Sequence, residues 1–187
     1  MQRTDPYRQR PSRLAVDLSG ADLTDSDLSQ ANLKGARFDH AICDQVNFTG
    51  ADLSNCSMTA MRCRTADFTE SNLSGANLEK SDLQCSRFEK ATLMRANLSN
   101  TKLDRAEFNN ANCEGTLFQS AQIPYADFSH AILTGADLSK ANLIQSKLHR
   151  VQDKKATWRG SNKKLVEYTD KDLAEAEDWA PPKQGKL

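Results

Sequence analysis

The feature that most limits the fold of this 187-residue chain is a five-residue repeat that runs without interruption from Val16 to Arg150. Each of its 27 units has an apolar residue at its centre, Leu or Phe in 22 of them, and a second inner position two residues earlier, which is Ala in 16 units, as in ADLSG. None of these 54 positions is charged, although 27% of the chain is. Because side chains two residues apart point to the same side of an extended strand, these positions define the interior.

A chain that keeps this register must turn after every unit. Six glycines lie two residues after a centre, and Pro124 lies one residue after a centre. Pro followed by Gly is the preference of type II turns, because the second central residue needs a positive φ. Many corners carry Lys, Arg, Glu or Asn at the glycine position instead, and the sequence does not assign their turn type.

The repeat resembles the A(D/N)LXX consensus of the pentapeptide-repeat family from Val16 to Arg150. The resemblance implies an all-β fold, a right-handed quadrilateral (four-sided) parallel β-helix with four units per coil and about seven coils. Every fourth centre should then stack on the one before it. Five phenylalanines have this spacing and are predicted to form one aromatic ladder in the core: Phe48, Phe68, Phe88, Phe108 and Phe128.

The domain organisation follows from where the repeat begins and ends. The prediction is an N-terminal arm or cap at 1–15, the β-helix at 16–150, and a C-terminal cap with a short helix and tail at 151–187. The unit after Arg150 would have Asp153 at its centre, so the repeat is predicted to end there. Ala156 and Trp158 fall back into register, which leaves a partial last coil open, with Trp158 as a lid.

A short helix is predicted at about 170–180, ended by Pro181 and Pro182. Thr169 and Asp172 resemble a capping box at its start. Residues 149–164 carry six positive charges and one negative, and residues 165–178 carry one positive and six negative. This segregation favours a cap that forms ion pairs within itself over a nucleic-acid patch.

No catalytic constellation is present in the sequence. The histidines are His40, His130 and His149, and the first two are predicted at outward corners on different sides. Neither a nucleophile–base pair, a phosphate-binding glycine loop nor a metal-ligand spacing appears. The chain is therefore predicted to be non-enzymatic, without cofactor or metal. Cys43 and Cys63 stand one coil apart within disulfide range, although packed thiols are favoured.

The remaining composition indicates a cytoplasmic protein. Five Cys without CxxC spacing fit reduced thiols, and the N-terminus has no apolar segment typical of a secretory signal. No apolar run is long enough to span a bilayer. With 25 basic and 25 acidic residues, the chain is not a strongly basic nucleic-acid binder.

Two surface features are candidate interfaces. The first is the segment CSMTAMRCR, in which Arg62 and Arg64 project beside Met61; the alternative is a coil adjusted to fit Met61. The second is an outward-facing apolar cluster in the last coils, for which two interpretations stay open: the C-terminal helix folds over it, or it is a homodimer contact like those of some family members. Its members are Leu117, Pro124, Tyr125, Ile132 and Ile144.

These observations predict a rigid protein–protein interaction or scaffold module with an unidentified protein partner. Direct nucleic-acid or membrane contact is not expected, and the chain is either a monomer or a C-terminal homodimer. The resemblance implies an alternative, because some family members mimic B-DNA, bind DNA gyrase or topoisomerase IV and protect against quinolones. A rod of roughly 30 Å should then imitate about 18 phosphate charges. Residues 17–148 carry 17 acidic and 12 basic residues, with net charges of −1, −1, −3 and 0 on the four sides. This charge distribution favours the scaffold.

Overall fold

The computed structural model describes residues 15–178, so most of the predicted N-terminal arm, Pro181 and Pro182 lie outside the described residues. The described chain is a stack of coils joined by 27 parallel β-bridges. Each bridge links a residue to the one 20 positions later, from Asp17–Arg37 to Lys147–Glu167. Twenty residues per coil and five per unit give each coil four sides. The predicted four-sided β-helix is therefore confirmed.

The coil continues beyond the predicted end of the repeat at Arg150. Four more bridged units follow, centred on Asp153, Trp158, Lys163 and Tyr168. Their inner residues Val151, Ala156 and Val166, together with Trp158, are partly buried against the core. The predicted boundary is too early, because inner side chains and bonds to the coil below hold these units even where the centre is polar.

All corners of the rod share one backbone conformation. From Gly20 to Leu165, the second turn residue of every unit has a positive φ, and only seven of these positions hold glycine. Such a conformation costs an L-residue roughly 1–2 kcal/mol. It is stabilised because each of these N–H groups up to Gln145 donates to a carbonyl of the next coil, as Asp25 does to Asp44 at 3.0 Å. Corners with charged residues therefore do not need a different turn.

The interior is filled as the repeat predicts. Successive rings of the five-phenylalanine ladder have centroids 4.6–5.0 Å apart and are tilted by 13° or less, which confirms the ladder. Phe118 meets Phe128 edge-on at 5.9 Å. Hydroxyls at the small inner positions are satisfied by backbone, as Ser81 Oγ donates to the Met58 carbonyl at 2.7 Å. Polar residues therefore enter the core without leaving an unpaired group.

The cysteines of the core are free thiols. Cys43 and Cys63 are both fully buried, and burial raises the pKa of the Cys63 thiol well above its ordinary value, with a further contribution from Cys43. Cys85 is exposed, as the register predicts. Structural cysteines buried in this way are inert, so the stacked pair has a packing role.

The described chain has one helix, α1, at Lys171–Asp178. Its N-cap is Asp170, whose Oδ1 accepts the N–H groups of Asp172 at 2.8 Å and Leu173 at 3.2 Å. The predicted capping box starting at Thr169 is wrong, because Thr169 Oγ1 instead accepts the N–H of Arg150 at 3.0 Å. The described part of the chain contains no helix with the length and apolar content needed to cross a membrane.

Replacing Phe88 with Ala tests the ladder. Phe88 is fully buried between two stacked rings, so Phe88→Ala leaves a cavity and is expected to cost about 3–5 kcal/mol. The measurement is chemical denaturation followed by circular dichroism. Thr92→Ala, at an outward strand position of the same coil, is the control and should change the stability little. If Phe88→Ala has the same unfolding midpoint as the wild type, the packing of Phe88 inside the ladder is contradicted.

Candidate interaction surfaces

The Asp and Asn residues that precede many centres have a structural task. The carboxylate Oδ1 atoms of Asp17, Asp22, Asp27 and Asp52 accept the N–H two residues later at 2.9–3.1 Å. Hydrogen bonds donated by the hydroxyl and the N–H of that Ser or Thr lower the pKa of each of these carboxyls. Such Asx turns fix the bend at the corner. The consensus acids are thus explained by the turn itself.

The most acidic side of the rod is the one that carries the phenylalanine ladder, and its charges are paired. Arg87 stands in the middle of this side, with guanidinium nitrogens 3.1 Å from Asp67, 3.4 Å from Glu107 and 3.6 Å from Glu89. Lys147 lies 3.9 Å from Asp127 further along. A B-DNA mimic needs a continuous row of negative charge, whereas Arg87 and Lys147 interrupt the acidic residues of this side.

The two arginines predicted as candidates near Met61 are in ion pairs. Arg62 Nε lies 2.7 Å from Asp44, and an Arg64 guanidinium nitrogen lies 2.7 Å from Asp82. Asp44 also accepts the backbone N–H of Arg64 at 2.9 Å, which supplies the turn acceptor that Arg62 cannot provide. Met61 is only 1% exposed. These contacts fit the alternative of a locally adjusted coil.

The five outward apolar residues do not form one cluster. Leu117 and Ile132 lie in the bridge columns of two different sides. Pro124, Tyr125 and Ile144 share a corner, where the Tyr125 N–H donates to the Ile144 carbonyl at 2.9 Å. None of the hydrogen bonds or ion pairs of α1 within residues 15–178 reaches these five side chains. The prediction of one apolar cluster is wrong because residues that are close in number lie on separate sides of a coil.

A groove runs beside this corner at the C-terminal end of the phenylalanine side. It consists of two adjoining depressions of about 520 and 460 Å³, which share Asn109, Asp127 and Lys147. Tyr125, 52% exposed, borders one end, and Tyr168 and Leu173, 57% and 49% exposed, border the other. We call it the C-terminal groove. It gathers three of the six large apolar side chains that the described chain exposes.

The C-terminal groove is acidic. Besides Asp127 it is lined by four more carboxylates, Glu107, Glu167, Asp170 and Glu177, and by two basic residues, Arg105 and Lys147. The Arg105 guanidinium lies 5.8 Å from the centre of the Tyr125 ring, which supports the ring in its exposed position. The arrangement offers apolar contacts at both ends of a negatively charged floor.

A second feature joins α1 to the rod. His130 and His149 meet edge-on with ring centroids 5.3 Å apart, and Glu177 of α1 lies against both. Arg150 pairs with Glu177 at 3.0 Å and with Asp178 at 2.7 Å. Partial burial alone would raise the pKa of Glu177, but the His149 hydrogen bond and the charges of His130, His149 and Arg150 outweigh it and lower the pKa.

This histidine pair is not among the sites predicted from the sequence. The sequence separation of His130 and His149 is one position short of a full coil, which places them at one corner of successive coils, where the His130 N–H donates to the His149 carbonyl at 2.8 Å. The spacing was a usable signal. The position of Glu177 could not be predicted in this way, because the repeat register does not extend into α1. The predicted ion-paired cap involves Arg150 and the histidines; none of the lysines at 154–164 has an ion pair among residues 15–178.

Comparison with known families finds the repeat along the rod. The family model described as pentapeptide repeats matches in eight copies over residues 16–55, 47–84, 62–100, 71–110, 96–135 and 111–150. Together these ranges cover residues 16–150. Among curated proteins, no sequence matches the chain significantly.

Solved structures with similar folds include three pentapeptide repeat proteins. HetL from the cyanobacterium Nostoc sp. strain PCC 7120, involved in heterocyst differentiation regulation, is 22% identical, with 82% of this chain and 87% of HetL covered and a TM-score of 0.44. A trypsin-treated form of QnrB1, a plasmid-mediated fluoroquinolone resistance protein, is 18% identical. The match covers 86% of this chain and 96% of QnrB1, with a TM-score of 0.36. AT2G44920 from the Arabidopsis thaliana thylakoid lumen is 28% identical. The match covers 50% of this chain and 65% of AT2G44920, with a TM-score of 0.34. At these TM-scores the similarities do not indicate a partner.

The acid sensitivity of the rod should depend on Asp39. Burial opposes its ionisation, but hydrogen bonds from Ser57, Thr59 and Arg37 lower the pKa of Asp39 to about 2. Since the folded pKa lies below the unfolded value of 3.8, its stabilisation is present above pH 3.8 and is lost as the pH falls towards 2. Asp39→Asn should cost about 1 kcal/mol at neutral pH, because solvent screens part of the charge.

The measurement is the thermal midpoint of wild type and Asp39→Asn between neutral pH and pH 2. The difference between them should shrink below pH 3.8, the unfolded value. Asp25→Asn is the control, because the Asp25 carboxylate accepts no hydrogen bond within residues 15–178. A difference that is independent of pH would contradict the role assigned to the Asp39 charge.

Proposed function

Because the chain belongs to the pentapeptide-repeat family, whose members are right-handed quadrilateral β-helices, we propose that it is a non-enzymatic, rigid protein–protein interaction module. The observation that carries this proposal is the C-terminal groove. The described chain exposes six large apolar side chains, and this groove brings three of them, Tyr125, Tyr168 and Leu173, together. Exposed tyrosines beside a recessed floor are typical of protein interfaces.

The rod supports binding because it holds the groove rigidly. Tyr125 sits in a turn whose N–H is bonded to the next coil, so little conformational entropy is lost when a partner binds. The floor residue Asp127 belongs to a bridged column, which fixes its position relative to Tyr125. A preorganised surface of this kind needs no conformational change to receive a partner.

The charge of the groove defines the chemistry of the partner. Five carboxylates and two basic side chains line it. Three of the carboxylates are in ion pairs with Arg87, Lys147 and Arg150. The other two, Glu167 and Asp170, have no ion pair among residues 15–178 and leave the groove with a negative charge. The partner segment is therefore expected to present Lys or Arg beside apolar or aromatic residues. A second copy of this chain is the alternative occupant, which keeps the predicted C-terminal homodimer as an outcome of the experiment.

The proposal is tested by placing a photo-crosslinking amino acid at position 125 in the native cell and identifying the captured protein. The purified partner is then titrated against wild type and Tyr125→Asn. Loss of an interface tyrosine typically costs about 2 kcal/mol, so the Kd should rise by more than about tenfold. Asn suits this position because it tolerates a positive φ.

The matched control is Gln45→Asn. Gln45 and Tyr125 occupy the same corner with φ values of 59° and 60°, four coils apart. The control should leave the Kd unchanged. Capture of the chain itself would identify the homodimer instead. Partner binding with the same Kd in wild type and Tyr125→Asn would contradict the proposed use of the groove.

The second candidate, a DNA-mimicking binder of DNA gyrase or topoisomerase IV, is favoured by the shape of the rod and opposed by its charge. The side with the greatest excess of acids has Arg87 in its middle, in contact with Asp67, Glu89 and Glu107. A gyrase surface that binds DNA phosphates would meet alternating charge here. We therefore expect no inhibition of gyrase supercoiling and no protection from a fluoroquinolone.

A supercoiling titration with and without the drug checks this expectation. Inhibition of supercoiling, or protection of gyrase from the drug, at submicromolar protein would establish the DNA mimic and contradict the proposed use of the C-terminal groove as the interaction site. The variant Arg87→Glu makes the bridge column from Asp67 to Asp127 continuously acidic and serves as the comparison. If wild type is inactive and Arg87→Glu gains activity, the alternation of charge is the reason.

A further inference from the structure

Three side chains with metal-ligand chemistry meet where α1 joins the rod, and we propose that they bind one Zn²⁺ ion. His130 and His149 come from the same corner of two successive coils, and Glu177 comes from α1. Their candidate donor atoms all lie within 4.8 Å of one another. Two imidazoles and one carboxylate form a donor set that zinc uses in sites with a further open position.

The distances between the donor atoms fit such an ion. His149 Nε2 lies 3.3 Å from Glu177 Oε2, and His130 Nε2 lies 3.6 Å from Glu177 Oε1. Ligands bound at about 2.0–2.1 Å to a tetrahedral zinc ion are separated from one another by about 3.4 Å. Small side-chain adjustments therefore suffice to place all three around one metal ion.

The donor types select zinc over the common hard cations. Mg²⁺ and Ca²⁺ take oxygen ligands, whereas two of the three donors here are imidazole nitrogens. Arg150 lies outside this donor set, and its Nε is in ion-pair contact with Glu177 Oε2 at 3.0 Å.

The surroundings indicate what the ion does. The His149 side chain is 10% exposed, whereas those of His130 and Glu177 are 38% and 33% exposed, so the site is closed towards the rod and open towards the C-terminal groove. No residue of α1 is buried, so apolar packing does not anchor this helix. Zinc would bridge two coils to α1 and fix that wall of the groove, with water or a partner's donor atom at the open position.

Isothermal titration with ZnCl2 tests the proposal on the untagged full chain after EDTA treatment. All titrations use a Cys85→Ser background, because that exposed thiol is another zinc donor. We expect one Zn²⁺ per chain with a Kd in the micromolar range or tighter. His130→Asn and Glu177→Gln, which remove a ligand, should each weaken binding by at least about tenfold.

The matched control is His40→Asn. His40 and His130 both occupy the second turn position with a φ of 61°, but His40 lies on another side of the rod. His40→Asn should leave the zinc affinity unchanged. No binding at tens of micromolar ZnCl2, or equal affinity in wild type, His130→Asn and Glu177→Gln, would overturn the proposal. Glu177→Gln keeps the assay decisive if His130→Asn disturbs the coil, because Glu177 lies on α1.

Hydrogen exchange provides a second readout. Zinc should slow amide exchange within Lys171–Asp178 of the wild type and not of His130→Asn. Unchanged exchange in the wild type would overturn the bridging role. Both measurements use the isolated chain, so their outcome is independent of whether the proposed protein partner exists.

Discussion

The hydrogen bonds between successive coils are the interaction on which the rest of this structure depends. Each coil donates from its strand and turn N–H groups to carbonyls of the next coil, as Phe88 does to Glu107 at 2.7 Å and Lys90 does to Asn109 at 3.0 Å. These bonds fix the register from coil to coil, and the register stacks like side chains on like. A single unit cannot bury its inner side chains alone, so stability arises between neighbours.

The same bonds hold the corners in a conformation that most residues disfavour. Twenty-three second turn positions other than glycine, Tyr125 and His130 among them, have a positive φ. Because the backbone ladder imposes the turn, the corner side chains are free to vary. The rod can therefore carry many different residues at its corners, and both proposed sites use this freedom. The C-terminal groove begins at a corner Tyr, and the proposed zinc site begins at a corner His.

Charged side chains of this rod complete its own turns and form ion pairs with one another. The carboxylate of Asp27 completes its own turn, and Asp44 completes the turn of the coil above, where Arg62 replaces the usual Asp or Asn. Arg87 pairs with acids one coil before and one coil after its own. A surface built from such pairs has little net field, so recognition depends on local shape and on a few unpaired groups. The C-terminal groove offers both.

Much of the fold was predictable because the five-residue period is a local property of the chain. The register assigned the phenylalanine ladder, the inward cysteines and the exposed Cys85 correctly. The register predicted the end of the coil wrongly, at the units whose centres are not apolar. The coil continues through Asp153 and Lys163 because backbone hydrogen bonds and partly buried neighbouring side chains are sufficient to hold these units. The cap residue of α1 was misjudged by one position, since Thr169 forms its bond with Arg150 instead.

The sequence by itself determined the period, the inner and outer side chains and the core, because each depends only on residue type and spacing. The tertiary structure decided what happens across coils and at the end of the rod. It divided the apolar candidates between two sides and a corner, paired Arg62 and Arg64 with acids, and brought α1 against His130 and His149. These outcomes depend on which side chains meet across neighbouring coils and on where a non-repeating segment packs. Neither is encoded in the five-residue pattern.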